Sequence, residues 1–133
     1  MFTTDSKTIN KSGTSPIAVA SQATVYTDSF EIGMASAFSL SIQLNGSTPS
    51  VQVVLQISDT APAASENAAD TSNWCQQDGG APIYTALTDT ILHKITLAPT
   101  VSRYARLQLI GNSGNGANVT VLAKLISQQQ LGR

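Results

Sequence analysis

Alternation at period two constrains this chain more than any other feature. In "SAFSLSIQL", Phe38, Leu40, Ile42 and Leu44 fall on one side and Ala37, Ser39, Ser41 and Gln43 on the other. "VQVVLQIS" repeats the arrangement, with Val51, Val53, Leu55 and Ile57 set against Gln52, Gln56 and Ser58. Successive side chains of a strand point to opposite faces, so this pattern builds half-buried strands and gives a helix no coherent apolar stripe. With "NGSTPS" breaking the pattern between them, residues 36–58 read as an antiparallel hairpin. Further strands are expected at 83–87, 91–97, 101–110 and 118–127, and two shorter ones near 16–20 and 24–32.

Residues 1–15 are polar and read as an extended N-terminal arm of the kind that orders on a partner, leaving 16–133 as the folded domain. The longest irregular stretch, "DTAPAASENAADTSNWCQQDGGAP", lies between Ser58 and Ile83, and a helical turn is expected over Ala63 to Asp70, after Pro62. A loop of that length in a small domain is more often functional, or ordered by a neighbour, than idle. The total is roughly seven to nine short strands with almost no helix. Each sheet then has one apolar face to bury, which gives an all-β, single-domain antiparallel β-sandwich, jelly-roll-like, with its extended arm.

The stretch "LIGNSGNGANVT" crowds Gly111, Gly114 and Gly116 as a phosphate-cradling loop would. Such a loop needs a helix N-terminus after it, aiming free N–H groups at the anion. Here Val119, Val121, Ala123 and Leu125 follow at period two, and the glycines are ordered G-x-x-G-x-G. The stretch is therefore read as a hairpin turn joining strands 101–110 and 118–127.

Charge removes several function classes. Only 11% of residues are charged, the formal net charge is -1, and the seven Lys and Arg are scattered, so no footprint for nucleic acid exists. No run approaches the roughly 18 apolar residues of a membrane span, and the polar start lacks the order of a signal peptide, so synthesis in a cytoplasm without a membrane partner is expected. Cys75 is the only cysteine, which rules out an internal disulfide and a zinc site built on paired thiolates. His93, the single histidine, alternates with Ile91, Ile95 and Leu97 on the apolar side of its strand. A triad with Asp89 and a serine lacks the G-x-S-x-G elbow, so His93 is read as a residue at a sheet margin or subunit contact. The carboxylates are spread one per loop or strand end, without calcium-loop spacing, although Asp59, Asp70 and Asp78 share the long loop. The expectation is a protein that is not an enzyme and has no cofactor or metal.

Trp74 sits in the long loop beside Asn73 and Gln76. With Tyr84 or Tyr104 it would form a stacking platform for a sugar ring or an anchor for a partner protein; alternatively it plugs one end of the sandwich and holds the loop down. On 101–110, Val101, Arg103, Ala105, Leu107 and Leu109 share one face, leaving Tyr104, Arg106 and Gln108 on the other. On 118–127 the outer face carries Leu122 and Ile126 with Lys124 between them. Second faces this apolar are covered by another subunit or by the arm. The candidate partner-binding residues are thus Trp74, Tyr84, Tyr104, Arg106, Leu122 and Ile126.

The run "SRYARLQLIGNSGNGANVTVLAKLI", preceded by "VQVVLQISDT…NW" and a Thr-rich strand, resembles small β-sandwich virion proteins of tailed bacteriophages, the capsid decoration or cement class, over roughly residues 36–127. The resemblance implies a non-enzymatic protein, often trimeric, located on the virion surface, that binds the major capsid protein or other virion proteins and clamps the shell. It transfers no particular contact residue. "RYARLQL" and the late glycine-rich turn also look like strands of discoidin-type lectin modules, and that alternative implies a sugar ligand held by Trp74, Tyr84 and Arg106.

Overall fold

Two rows of inward side chains, one from each of two sheets, make the core. The computed structural model describes residues 2–8, 16–32, 37–60, 74–76, 81–97 and 102–130. Among them are eleven strands and no helix: β1 (Phe2–Thr8), β2 (Ile17–Ala18), β3 (Thr24–Tyr26), β4 (Phe30–Glu31), β5 (Ala37–Asn45), β6 (Val51–Ser58), β7 (Cys75–Gln76), β8 (Tyr84–Leu87), β9 (His93–Leu97), β10 (Tyr104–Gly111) and β11 (Thr120–Gln130). Leu40, Ile42 and Leu44 of β5 and Val121, Ala123 and Leu125 of β11 meet Val51, Val53 and Leu55 of β6 and Ala105, Leu107 and Leu109 of β10. Nearly all of these are fully buried, and each large apolar side chain removed from water this way stabilises the fold by about 1.5–3 kcal/mol.

The first sheet, sheet A, runs β1-β11-β5-β9, with β2 continuing the β1 position along β11. The second, sheet B, runs β3-β10-β6-β7, with β4 beside β3 on β10 and β8 beside β7 on β6. Three positions are therefore each shared by two short strands. Counted in chain order, the resulting eight positions read 1-8-3-6 in sheet A and 2-7-4-5 in sheet B. First pairs with last, second with seventh, third with sixth and fourth with fifth, which is a long antiparallel ladder rolled into two Greek keys: a jelly roll.

This topology corrects two expectations. Residues 36–58 do not form a hairpin, because β5 pairs with β11 and β9 while β6 pairs with β10, β7 and β8. The strands 101–110 and 118–127 do not form one either: β10 lies in sheet B and β11 in sheet A. In both cases each strand has its own apolar row to bury, and placing the two strands in opposite sheets turns those rows toward each other. The strands themselves fall close to the expected spans, and β6 coincides with its span. Residues 24–32 divide into β3 and β4, because the Thr27 hydroxyl accepts the Leu107 amide and interrupts the ladder between them. Within 1–15, Phe2–Thr8 pair as β1 with Lys124–Gln130 of β11. The helical turn expected over Ala63 to Asp70 lies outside the described residues.

The glycine-rich stretch is a junction of three crossing loops at one end of the sandwich. The amides of Gly111, Asn112, Asn115 and Gly116 donate to the carbonyls of Ala23, Ser50, Asn112 and Thr48. The buried Asn115 side chain donates to the Val19 carbonyl at 2.8 Å and accepts the Ser50 amide at 2.9 Å. Those N–H groups are spent inside the protein, so none of the four is left to hold a phosphate.

Candidate interaction surface

The two outer faces of the sandwich differ. On sheet B, Arg106 points outward from β10, as alternation requires, yet it is 1% exposed. Its guanidinium lies over the Tyr26 ring at 4.1 Å and the Trp74 ring at 4.3 Å, and its Nε donates to Gln56 Oε1 at 2.9 Å. Tyr26 ends β3, Gln56 lies in β6, and Trp74 precedes β7, so a single row of side chains spans sheet B from edge to edge. A desolvated guanidinium between two aromatic faces gains about 2 kcal/mol or more from each. The outward Val54, Gln56 and Ser58 of β6 are buried as well. The middle of sheet B's outer face is covered by its own side chains, with Gln52, Tyr104, Gln108 and Ile110 half-buried around it.

Sheet A leaves its outer face open. Inward Val121, Ala123 and Leu125 alternate with outward Leu122, Lys124 and Ile126. Leu122, 41% exposed, lines a shallow groove of about 400 Å³ with Ser41, Gln43, Leu92, Lys124 and Ile126. Leu92 and its neighbour Ile91 are 61% and 65% exposed. The exposed large hydrophobics among the described residues are these two and Leu122, so the apolar surface gathers at one side of the molecule.

The loop that carries Ile91 and Leu92 is held rigidly. Asp89 Oδ1 accepts the Ile91 amide at 3.1 Å and pairs with His93 Nε2 at 2.7 Å, and Gln43 Nε2 donates to the Thr90 carbonyl at 3.1 Å. The hydrogen bond from His93, followed by the Ile91 amide and the histidine charge, holds the Asp89 carboxyl below its usual range against an opposing desolvation. Tyr84 stands edge-on to His93, with centroids 5.7 Å apart, and its hydroxyl is pushed up by desolvation and then by the Asp89 charge. Among the described residues His93 is bonded to Asp89 and stands against Tyr84, and the pair ties down the loop between them. No group of three or more potential metal ligands occurs among the described residues.

The six candidate residues therefore fall in four places. Trp74 and Arg106 stack on the outside of sheet B, Trp74 buried at 8% exposure and outside the core cluster between the sheets. Tyr104 is half-buried at the start of β10, next to Arg103, whose guanidinium lies 5.3 Å from its ring; Arg103 itself is exposed rather than aligned with the inward row. Tyr84 lies beside His93, and Leu122 and Ile126 share the sheet A groove. Leu92 and Ile91 were missed. Read as part of a strand over 91–97, Ile91 falls on the apolar side; instead the strand begins at His93 and Ile91 faces solvent. The signal was present in "TDT", since an Asp that binds the amide two residues on makes a turn rather than a strand.

No family model and no curated protein matches the chain. Among solved structures, a chain of desmodium yellow mottle tymovirus is similar at a TM-score of 0.38 and 9% identity, over 100% of this chain and 90% of that one. The resemblance to tailed-phage proteins has no counterpart among these comparisons.

Proposed function

We propose that this chain is a virion structural protein, a non-enzymatic cement or decoration protein that docks on a capsid through the outer face of sheet A. The inequality of the two outer faces carries this reading: sheet B buries the outward side chains at its centre, while sheet A and the loop at 89–92 present Leu122, Ile126, Leu92 and Ile91 on a hydrogen-bonded frame. A patch of that composition is covered in use by another protein. Jelly rolls serve capsids, lectins and small-molecule sites alike, so the face and not the fold supports the choice. A sugar platform would need the Trp74 ring open to solvent, whereas that ring is buried with Arg106 against one side. The partners in this reading are the major capsid protein or other virion proteins, and self-association as a trimer lets several weak contacts act together.

Co-sedimentation tests it. The tagged protein is expected to pellet with virus particles produced in the cells that carry its gene, and Leu122→Glu is expected to stay in the supernatant while its circular dichroism melt matches wild type. Equal pelleting of both proteins, or none of either, would overturn the reading. Light scattering behind a sizing column reports whether the free protein has the mass of one 13.9 kDa chain or of three.

A further inference from the structure

The charges on the open face identify the chemistry of what covers it, given the docking role proposed above. Lys124 of β11 and Lys94 of β9 both stand directly opposite Ser41 of β5. Directly opposed residues share a face, so the two exposed lysines lie on the groove side in one row, about 10 Å apart across three strands. Strands β5, β9 and β11 contain no Asp or Glu at all. The one carboxylate position in sheet A is Asp5 of β1, in register with Ser127 rather than with Lys124. Along β11, Leu122 and Ile126 lie two residues before and after Lys124, roughly 7 Å away on each side. The face thus reads apolar, cation, apolar at period two, with a second cation alongside.

We propose that this face receives an acidic, apolar segment of a different protein, in extended form, with a carboxylate over the lysine row and an apolar side chain on each side of it. A second copy of this chain fits badly. An isologous contact centred on this row would set Lys124 against Lys94 of the other copy, and like charges brought together across an interface are unfavourable. The chain's own segments of matching pattern that lie wholly within the described residues are occupied. In Leu87-Thr88-Asp89-Thr90-Ile91, Leu87 is buried and Asp89 is bound to His93; in Tyr26-Thr27-Asp28-Ser29-Phe30, all five residues are buried.

The probe is a blocked heptapeptide with Leu, Glu and Leu at alternate positions separated by serines, compared with the same peptide carrying Lys in place of Glu. Backbone amide shifts of the labelled full-length protein give the site and the affinity. The acidic peptide at millimolar concentration is expected to shift amides around Ser41, Lys94 and Lys124, the basic peptide to bind about tenfold more weakly or worse, and Lys124→Glu to reverse the preference. Equal response to both peptides, shifts elsewhere, or binding to phosphatidylserine vesicles with no response to either peptide would overturn the proposal. The particle assay separates the two levels: if Lys124→Glu docks like wild type while Leu122→Glu does not, the acidic partner fails and the docking face stands. If neither substitution affects docking, both fail.

Discussion

Arg106 shows how far one residue depends on parts of the chain remote from it in sequence. Alternation places it correctly on the outer face of β10, but nothing near it in sequence tells that Tyr26 and Trp74 close over it. Period two assigns a side chain to a face; whether that face is wet depends on elements that arrive from elsewhere. Lysine keeps the charge but loses the planar stack and leaves Gln56 Oε1 without its 2.9 Å donor. Arg106→Lys is therefore expected to cost about 2–4 kcal/mol, read by urea unfolding, and to shift Trp74 emission to the red as its ring is wetted. A smaller effect appears at Asp89. Its carboxyl is held below the usual range in the folded protein, so its contribution is present above the unfolded value near 3.8 and is lost as pH falls through the lower folded value. The melting difference between wild type and Asp89→Asn should narrow as pH falls below about 4. Tyr84 acts in the opposite sense: its raised hydroxyl favours folding below about pH 10, and that contribution fades as pH rises further.

Strand spans were legible element by element, whereas strand partners were not. The alternation in β5, β6 and β11 marks where a strand runs and which side faces inward, but any other strand with an apolar row satisfies the same pattern. Sequence proximity then suggests hairpins, and the jelly roll instead sends neighbouring strands to opposite sheets. The loops that make those crossings carry the decisive geometry. Gly46 holds φ at +120°, where a side chain is strained, and Asn118 opposite it takes φ at 62°, which asparagine tolerates. Gly116 is fixed by space: a Cβ there would run into the Ser47 carbonyl and the Thr48 hydroxyl, while a Cβ at Gly114 would meet nothing. Gly116→Ala is expected to destabilise by about 1–3 kcal/mol in thermal or urea unfolding, and Gly114→Ala to stay within about 0.5 kcal/mol of wild type. Equal behaviour of the two variants would mean that the 45–50 and 112–118 loops are not packed together as described.

For the molecule as a whole, one sheet buries the middle of its outer face and the other leaves its own exposed, and the N-terminal segment pairs at the edge of the open one. Leu122 and Ile126 could be picked out from alternation, but that this part of the sheet carries no Asp or Glu on its strands emerges only once β5, β9 and β11 are known to be neighbours. Among the described strands β1 pairs with β11, over seven residues. That pairing is a ladder of backbone hydrogen bonds, each worth about 1 kcal/mol net and open to exchange with water. Removing residues 1–15 is expected to leave a cooperatively folded sandwich with its aromatic stack intact, visible as unchanged Trp74 emission and a modestly lower Tm. It would also free the edge of β11 from Lys124 to Gln130, beside the groove residues Lys124 and Ile126. An unpaired strand edge is a template for unintended pairing, so the truncated protein should self-associate more in a sizing column even as it stops pelleting with particles. A truncated protein that pellets like wild type would show that the arm takes no part in docking, while loss of the cooperative melt would show that β1 belongs to the folding unit.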